Sequence, residues 1–224
     1  MTKHHVIIVA GGSGQRMQTA IPKQFLMLDG LPVLMHTIKR FHETLPDASI
    51  VLVLPSEHLA YWNELKIQFT FEIPHQIAFG GDTRFQSVKN GLALVNSGIV
   101  GIHDAVRPLV SSSTILKTFE AASQNGAAVP VLQPNESMRI LIPDGRNEAL
   151  IRDALRTVQT PQCFHADKII EAYKQEFRAD FTDDASVAER AGFPITLVQG
   201  NEENIKITRP IDFIIAEYFL KNNR

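Results

Sequence analysis

The sequence predicts an α/β fold in which a doubly wound, mostly parallel sheet forms a single domain over residues 1–224. Unbroken apolar runs alternate along the chain with segments of helical periodicity, which is typical of strands buried on both faces of a parallel sheet. A glycine-rich turn follows the first apolar run directly, at the strand end where such sheets bind ligands. With 224 residues and 44% hydrophobic content, the chain can bury a substantial core.

The predicted elements follow one another in a regular order. The first is a strand at residues 4–9, and behind Pro32 the residues Leu34, Ile38 and Phe41 recur at helical spacing. Later strands are predicted at 50–54, 75–79, 99–103, 127–132 and 195–198, and later helices at 85–95, 113–125, 166–177, 183–191 and 210–220. This alternation of strand and helix is the βαβ pattern of a doubly wound sheet.

The alternation is interrupted between residues 133 and 156. Turn-forming residues such as Pro134, Pro143 and Gly145 are flanked there by short apolar patches. We predict a projecting β-arm. Because an isolated hairpin with apolar sides is marginal in water, its apolar faces indicate burial against a second copy and therefore a homodimer. A flap over the active site of the same chain is the alternative.

Composition excludes several classes of protein. The chain has 22 Lys and Arg against 24 Asp and Glu, with a formal charge of −2, so it lacks the basic footprint of a nucleic-acid-binding protein. Its single cysteine, Cys163, cannot form an internal disulfide and is predicted to be buried. The first apolar run is too short for a signal peptide or a membrane span, which predicts a cytoplasmic protein with no membrane partner. The histidines show no zinc-ligand spacing.

The glycine-rich turn is predicted to bind phosphate. The run Ala10-Gly11-Gly12-Ser13-Gly14-Gln15-Arg16-Met17 lets backbone N–H groups approach an anion, and Arg16 and Lys23 add positive charge. Met17 stands where the dinucleotide fingerprint needs its third glycine, and the P-loop motif is absent from the sequence. A nucleotide is therefore the expected ligand, in neither a dehydrogenase nor a P-loop enzyme. A strand-to-helix turn without a ligand is the alternative.

A second pair of glycines precedes the helix predicted at 85–95. Gly80 and Gly81 allow the backbone to contact a flat base, while Asp82 and Ser87 can form hydrogen bonds with its edge. These four residues are predicted to bind the nucleobase. Ordinary turn and N-cap roles are the alternative.

Charged and hydroxyl residues follow the later strands. Asp104 and Arg107, three residues apart, suit a ribose or Mg²⁺ on one side and a phosphate on the other, with a structural Asp–Arg pair as the alternative. Thr182, at a helix start, and Lys206 both favour phosphate. Arg152, considered alone, is expected to be a solvated charge.

Taken in order, these motifs resemble a known family. They are A-G-G-x-G-x-R-M with P-K-Q, G-G-x-x-R-x-x-S-V, H-D-A-V-R-P, Q-T-P-Q-x-F, T-D-D-A-S and N-I-K-I-T. Across nearly the whole chain, this series resembles the 2-C-methyl-D-erythritol 4-phosphate cytidylyltransferases of the non-mevalonate isoprenoid pathway. The resemblance implies a nucleotidyltransferase domain with a Rossmann-like sheet and a dimer formed through the arm. It also implies Mg²⁺-dependent transfer of CMP from CTP to methylerythritol phosphate, with release of pyrophosphate.

The resemblance also implies roles for individual residues. Catalytic roles fall to Arg16, Lys23 and Lys206. Nucleotide binding falls to Ala10, Gly11, Gly12, Ser13, Gly14, Gln15, Gly80, Gly81, Asp82, Ser87, Asp104 and Ala105, with Asp104 as a candidate Mg²⁺ ligand. Acceptor binding falls to Arg107, Ser137, Arg152 and Thr182, of which Ser137 and Arg152 would act across the dimer.

Two departures from the family pattern leave the acceptor open. The chain has Val9-Ala10-Gly11-Gly12 where the family often shows P-A-A-G, and Ser137 where threonine is frequent. The first change brings the loop nearer to that of ribitol-5-phosphate cytidylyltransferases, which are the main alternative. A non-catalytic nucleotide-binding protein is a further alternative, whereas a sugar-nucleotide glycosyltransferase is disfavoured because the sequence lacks an Asp-x-Asp motif.

Overall fold

An eight-stranded sheet organises the computed structural model, which describes residues 2–11 and 21–222. In chain order the elements are β1 (His4–Val9), β2 (Met27–Leu28), β3 (Leu31–Pro32), α1 (Val33–Thr44), β4 (Ser49–Leu54), α2 (Leu59–Gln68), β5 (Gln76–Phe79), α3 (Arg84–Leu92), β6 (Ile99–Asp104), α4 (Ser112–Asn125), β7 (Ala127–Leu132), β8 (Arg139–Leu141), β9 (Asn147–Ala149), β10 (Thr157–Val158), β11 (Gln162–His165), α5 (Ala166–Ala172), α6 (Asp184–Arg190), β12 (Thr196–Gln199) and α7 (Pro210–Asn222).

The strand order places a ligand crevice beside β1. The main sheet runs β10-β7-β11-β6-β1-β4-β5, and β12 also pairs with β7 in parallel. β1 pairs in parallel with β4 on one side and with β6 on the other, so that Val9 lies level with Val53 and Asp104. Successive strands are therefore added first on one side of β1 (β4, β5) and then on the other (β6). Doubly wound sheets bind ligands at the carboxyl ends of the strands beside such a switch point. The predicted α/β fold is confirmed.

Helices cover both faces of this sheet. Val6 and Ile8 of β1 pack into the core with α1 and α4, whereas Ile7 between them packs into the opposite core with α3, α5 and α6. Successive side chains of a strand point to opposite faces, so a strand covered on both sides must be apolar at every position. This requirement explains the unbroken apolar runs in the sequence.

One central strand was not predicted. The strand β11 lies antiparallel between β6 and β7, where Cys163 pairs with Gly101 and with Ala128. From the sequence, this region was predicted only to contain a buried cysteine. Cys163 is indeed buried, and burial raises the pKa of its thiol. The helix predicted at 166–177 ends earlier, at Ala172.

The carboxyl-terminal segment is held against the end of β6. Ile207 is fully buried with Leu28, Val33 and Ala216, so α7 and β2 share a small core. The N–H of Ile207 donates to the carbonyl of Val106 at 3.0 Å. This contact places Lys206 beside the turn that follows β6.

The range 133–156, where the arm is predicted, contains a two-stranded hairpin. β8 and β9 pair only with each other, as a hairpin separate from the main sheet, and Gly145 takes a positive φ of 89° in its turn. Both strands are exposed, including the apolar side chain of Leu141 in β8 (81%), and so is Ile151 after β9 (78%). The hairpin therefore presents apolar surface away from its own domain, while its role in a dimer stays a prediction. Among the residues described, no helix is long and apolar enough to cross a membrane.

Candidate active site

A cavity of about 240 Å³ opens at the carboxyl ends of β1 and β6. Hydrogen bonds from Ala10 N to Val53 O (2.7 Å) and from Ala105 N to Val9 O (3.1 Å) fix the chain where it leaves these strands. The predicted site residues that line this cavity are Ala10, Gly11, Lys23, Gly81, Asp82, Ser87, Asp104, Ala105 and Lys206. The structure thus brings together four motifs that are far apart in sequence. Gly12, Ser13, Gly14, Gln15 and Arg16 lie outside the described residues.

A second cavity of about 280 Å³ adjoins the first and contains part of the predicted acceptor site. Arg107 and Thr182 line it, together with Gln159, Thr160, Gln162 and Asp183. Three residues line both cavities: Arg84, Asp104 and Lys206. These three side chains therefore form the boundary between a nucleotide-side and an acceptor-side cavity.

Asp104 is the centre of this boundary. Its Oδ2 lies 3.0 Å from Lys206 Nζ and 3.2 Å from Arg107 Nε, and its Oδ1 lies 3.8 Å from Arg84 Nε. Burial alone would raise the pKa of this carboxyl, but Arg84, Lys206 and Arg107 outweigh it and lower the pKa below the usual range. Asp104 is therefore ionised at neutral pH, and its carboxylate attracts the three cationic side chains that surround it.

Arg107 is part of a mostly buried network. Besides its contact with Asp104, its Nη1 donates to the carbonyl of Asn204 at 2.7 Å, and its side chain is 13% exposed. Asn204 is fully buried and donates to Thr160 O at 2.8 Å. In this structure the Asp–Arg pair, which was the alternative interpretation of Arg107, is formed and links β6 to the segment that carries Lys206.

The residues do not fit a protein-built Mg²⁺ site. Mg²⁺ takes oxygen ligands in an octahedral arrangement, and a carboxylate that already contacts three cations would bring the metal close to their like charge. Among the described residues there is also no group of three or more His, Cys, Asp or Glu side chains that could hold a metal ion. The geometry therefore does not favour Asp104 as a metal ligand.

His103 fixes the turn that carries Asp104 and Arg107. Its Nε2 lies 3.0 Å from Arg107 O, which can only accept, so Nε2 carries the proton. Its Nδ1, 2.9 Å from Thr160 Oγ1, then accepts from that hydroxyl, whose oxygen in turn accepts from Asp104 N at 3.2 Å. Burial is the main cause that lowers the pKa of His103, to about 4. The ring is therefore neutral, with both nitrogens engaged.

The loop at 80–83 is closed by Ser87. The Ser87 hydroxyl accepts from Gly81 N at 3.1 Å and donates to Thr83 O at 2.9 Å, and Ser87 is 2% exposed. A Cβ at Gly81 would collide with the side chain of Gln86, which explains the glycine there. Ser87 therefore shapes the loop in the free chain, and Asp82 is exposed next to it. Thr83 is the N-cap of α3.

Ser137 and Arg152 line neither of the two cavities. Arg152 lies at the base of the arm, where its Nη1 donates to Asn135 O at 3.2 Å, and Ser137 is exposed just before β8. The single chain therefore does not bring these two residues to the other predicted site residues. Gly80 also lies outside both linings, although its N–H donates to Leu54 O at 3.0 Å beside them.

A residue that lines both cavities, Arg84, and its buried ion-pair partner, Asp184, were not predicted to have roles. Arg84 had no role assigned, although it stands within the motif G-G-x-x-R-x-x-S-V, and Asp184 stands within T-D-D-A-S. Their side chains form a two-point ion pair with both N···O distances at 2.7 Å. Separated by 100 positions, they carry no signal in the sequence that would pair them.

The fold and the paired, cation-lined cavities at the switch point of the sheet fit an α/β nucleotidyltransferase, and the family match shows that class. The chain belongs to the 2-C-methyl-D-erythritol 4-phosphate cytidylyltransferase family, because the model of that family matches residues 4–222. The resemblance stated from the motifs is thereby confirmed.

Individual relatives match nearly the full length of the chain. A 2-C-methyl-D-erythritol 4-phosphate cytidylyltransferase of Bacteroides fragilis is 51% identical over 215 residues, which are 96% of this chain and 98% of that protein. One from Clostridium botulinum is 40% identical, with 96% and 97% covered.

Solved structures give the same result for the fold. The 4-diphosphocytidyl-2C-methyl-D-erythritol synthase of Anaerococcus prevotii superimposes with a TM-score of 0.84 at 27% identity, covering 99% of this chain and 97% of that one. The 2-C-methyl-D-erythritol 4-phosphate cytidylyltransferase of Francisella tularensis does so with a TM-score of 0.81 at 28% identity, covering 97% and 99%.

Proposed function

We propose that this protein transfers CMP from CTP to 2-C-methyl-D-erythritol 4-phosphate, in isoprenoid biosynthesis. The products are 4-diphosphocytidyl-2-C-methyl-D-erythritol and pyrophosphate. The observation that carries this proposal is the pair of cavities that share Arg84, Asp104 and Lys206, because a nucleotide and a second phosphate ester must meet at one boundary. The relatives at 40–51% identity over nearly the full length carry the name of this activity.

The reaction needs no general base from the protein. A phosphate monoester has a second pKa of about 6, so at pH 7 most of the acceptor is already a dianion. One of its oxygens attacks the α-phosphorus of CTP in line, a new P–O bond forms, and the bond from the α-phosphorus to the bridging oxygen breaks, with pyrophosphate taking the electron pair. His103 is neutral with both nitrogens engaged and Asp104 is ionised among cations, so neither is placed to take a proton.

What the protein supplies is alignment and positive charge. Lys23 lines the nucleotide-side cavity and Lys206 lines both cavities, so both can stabilise charge that develops on the bridging oxygen. Arg16, outside the described residues, is proposed to act with them. We propose that the divalent cation used by nucleotidyltransferases would be carried by the triphosphate of CTP and not by a protein-built site, and that it would further neutralise phosphate charge.

The arm is proposed to form a homodimer. Its exposed apolar side chains, among them Leu141 and Ile151, would be buried against a second copy. Ser137 and Arg152, which line neither cavity of their own chain, would then supply polar groups to the acceptor side of the partner. The cytoplasmic location of this dimer stays a prediction.

Pyrophosphate release by the purified protein tests the proposal. With CTP and Mg²⁺, methylerythritol 4-phosphate should support turnover, and ribitol 5-phosphate should support at most a small fraction of it. Faster turnover with ribitol 5-phosphate would contradict the acceptor, and an inactive protein that still binds CTP would contradict catalysis. Replacing CTP by UTP in the same assay tests the choice of base.

A further inference from the structure

Of the three described residues at the boundary between the two cavities, Arg84 is the one to which neither the motifs nor the proposed chemistry gives a role. It shares the boundary with Asp104 and Lys206. Its side chain is 31% exposed, so the guanidinium is reachable from the cavities and yet is largely held by protein groups.

The guanidinium is engaged on two sides. Its Nη1 and Nη2 each lie 2.7 Å from one oxygen of Asp184, and its Nε lies 3.8 Å from Asp104 Oδ1. Asp184 is fully buried and also accepts a hydrogen bond of 2.6 Å from the hydroxyl of Tyr173. The terminal edge of Arg84, which would bind a phosphate at two points, is therefore already occupied by a carboxylate.

This ion pair joins the starts of two helices. Arg84 is the first residue of α3 and directly follows the loop at 80–83 on the nucleotide side, whereas Asp184 is the first residue of α6 and directly follows Thr182 and Asp183 on the acceptor side. Gln162 supports the second loop, since its Nε2 donates to Asp183 Oδ2 and its Oε1 accepts from Ala185 N, both at 2.8 Å. A change at Arg84 would therefore move both loops relative to each other.

We propose that Arg84 is a positioning residue for the transfer step. Its pair with Asp184 fixes the nucleotide-side loop at 80–83 against the acceptor-side loop at 182–183, and its Nε orients the Asp104 carboxylate that gathers Lys206 and Arg107. The proposal rests on the function proposed above. In-line attack depends on the alignment of two bound phosphates, and a displacement of about 1 Å can reduce a rate by about 100-fold.

A double variant separates this role from simple stabilisation. Arg84→Met alone would leave the buried Asp184 carboxylate without its cation, which is strongly destabilising. Arg84→Met with Asp184→Asn removes both charges, and the asparagine can still accept from Tyr173. The matched control is Arg178→Met with Asp180→Asn, which removes an exposed ion pair of similar geometry, with N···O distances of 3.0 Å.

The expected result is a loss of kcat without loss of nucleotide binding. The Kd for CTP, measured calorimetrically with Mg²⁺ and no acceptor, should stay within about threefold of the wild type, while kcat falls by about 30-fold or more. The control should keep both values. A folded double variant with wild-type kcat would overturn the proposal.

Two further measurements keep the proposal testable. If the double variant does not fold, Arg84→Lys keeps the charge but lacks the two-point fork, so wild-type kcat in that variant would overturn the proposal. If the wild type itself shows no turnover, the proposed function fails, and the role of Arg84 is then read from ¹³C NMR of the Asp104 carboxyl. At pH 7 the ¹³C chemical shift of this carboxyl, which Lys206, Arg107 and the neutral His103 also face, should change in the double variant but not in the Arg178→Met, Asp180→Asn control, and an unchanged shift would overturn the proposal.

Discussion

Replacement of His103 by glutamine should remove the decrease in the free energy of unfolding that His103 causes at mildly acidic pH. His103 is completely buried, its ring packs edge-on against Phe41 with centroids 4.8 Å apart, and both ring nitrogens are engaged. A proton added to Nδ1 would lose the bond donated by Thr160 and place a charge in the core. The folded protein therefore resists protonation, and the pKa of His103 is lowered to about 4, mainly by burial.

The magnitude follows from the difference between the folded and unfolded pKa values. The unfolded chain takes up the proton near pH 6.5, but the folded chain does so only near pH 4. As the pH falls from 6.5 to 4, the unfolded state binds more protons, so the free energy of unfolding decreases. At about 1.4 kcal/mol per pH unit, the decrease attributable to His103 is about 3 kcal/mol. Below pH 4 it does not grow further.

Urea denaturation at several pH values between 7.5 and 4.5 checks this prediction. The lost packing of the ring adds a roughly constant cost to the variant, whereas the pH-dependent cost of His103 disappears, so the two stability curves should converge as the pH falls. His4, His5 and His75, whose pKa values burial also lowers, are present in both proteins and cancel in the difference. The contribution of Asp104, whose pKa is lowered, is lost only below its usual value of 3.8, outside this range.

His42→Gln is the control for the loss of one imidazole, because His42 is only partly buried on α1. A stability difference between the wild type and His103→Gln that stays constant from pH 7.5 to 4.5 would refute the reasoning.

Three further predictions follow from the site, the arm and the core. Lys23→Ala and Lys206→Ala should each lower kcat by about two orders of magnitude or more, because each removes a preorganised charge at the phosphates; near-normal turnover of a folded variant would exclude that residue. Leu141→Asp combined with Ile151→Asp should give a monomer in light scattering and lower activity, and an unchanged dimer would contradict an interface through the arm. Gly101→Ala should cost about 1–3 kcal/mol in urea denaturation, since its Cβ would lie 2.7 Å from the Phe119 ring; unchanged stability would show that the core can adjust.

The sequence was sufficient to predict most of the parallel sheet. Its strands are continuous apolar runs and its helices repeat apolar residues every three to four positions, and both signals lie within a single segment. The strand at Gln162–His165 was missed because it is short and begins at the last residue of a turn-forming Thr-Pro-Gln sequence. This segment is a strand because it pairs with β6 and β7, and such pairing between distant segments leaves no pattern in the local sequence.

For the site, too, local sequence patterns predicted some features, and long-range contacts decided the others. Glycines and cations near strand ends predicted the nucleotide-side residues, because parallel strands bring their carboxyl ends to one edge. Local sequence did not show that Arg107 is held by Asp104 and Asn204, or that His103 orders the turn between them.

By itself the sequence determined the fold class and the family, and it predicted the kind of ligand and the residues that could contact it. Only the tertiary structure decided how these residues act together: the meeting of Asp104 with Lys206, the pairing of Arg84 with Asp184, and the division of the site into two cavities. The physical reason is that secondary structure and turns depend on nearby residues, whereas ion pairs between side chains about 100 positions apart depend on how the helices and strands pack, which local patterns do not encode.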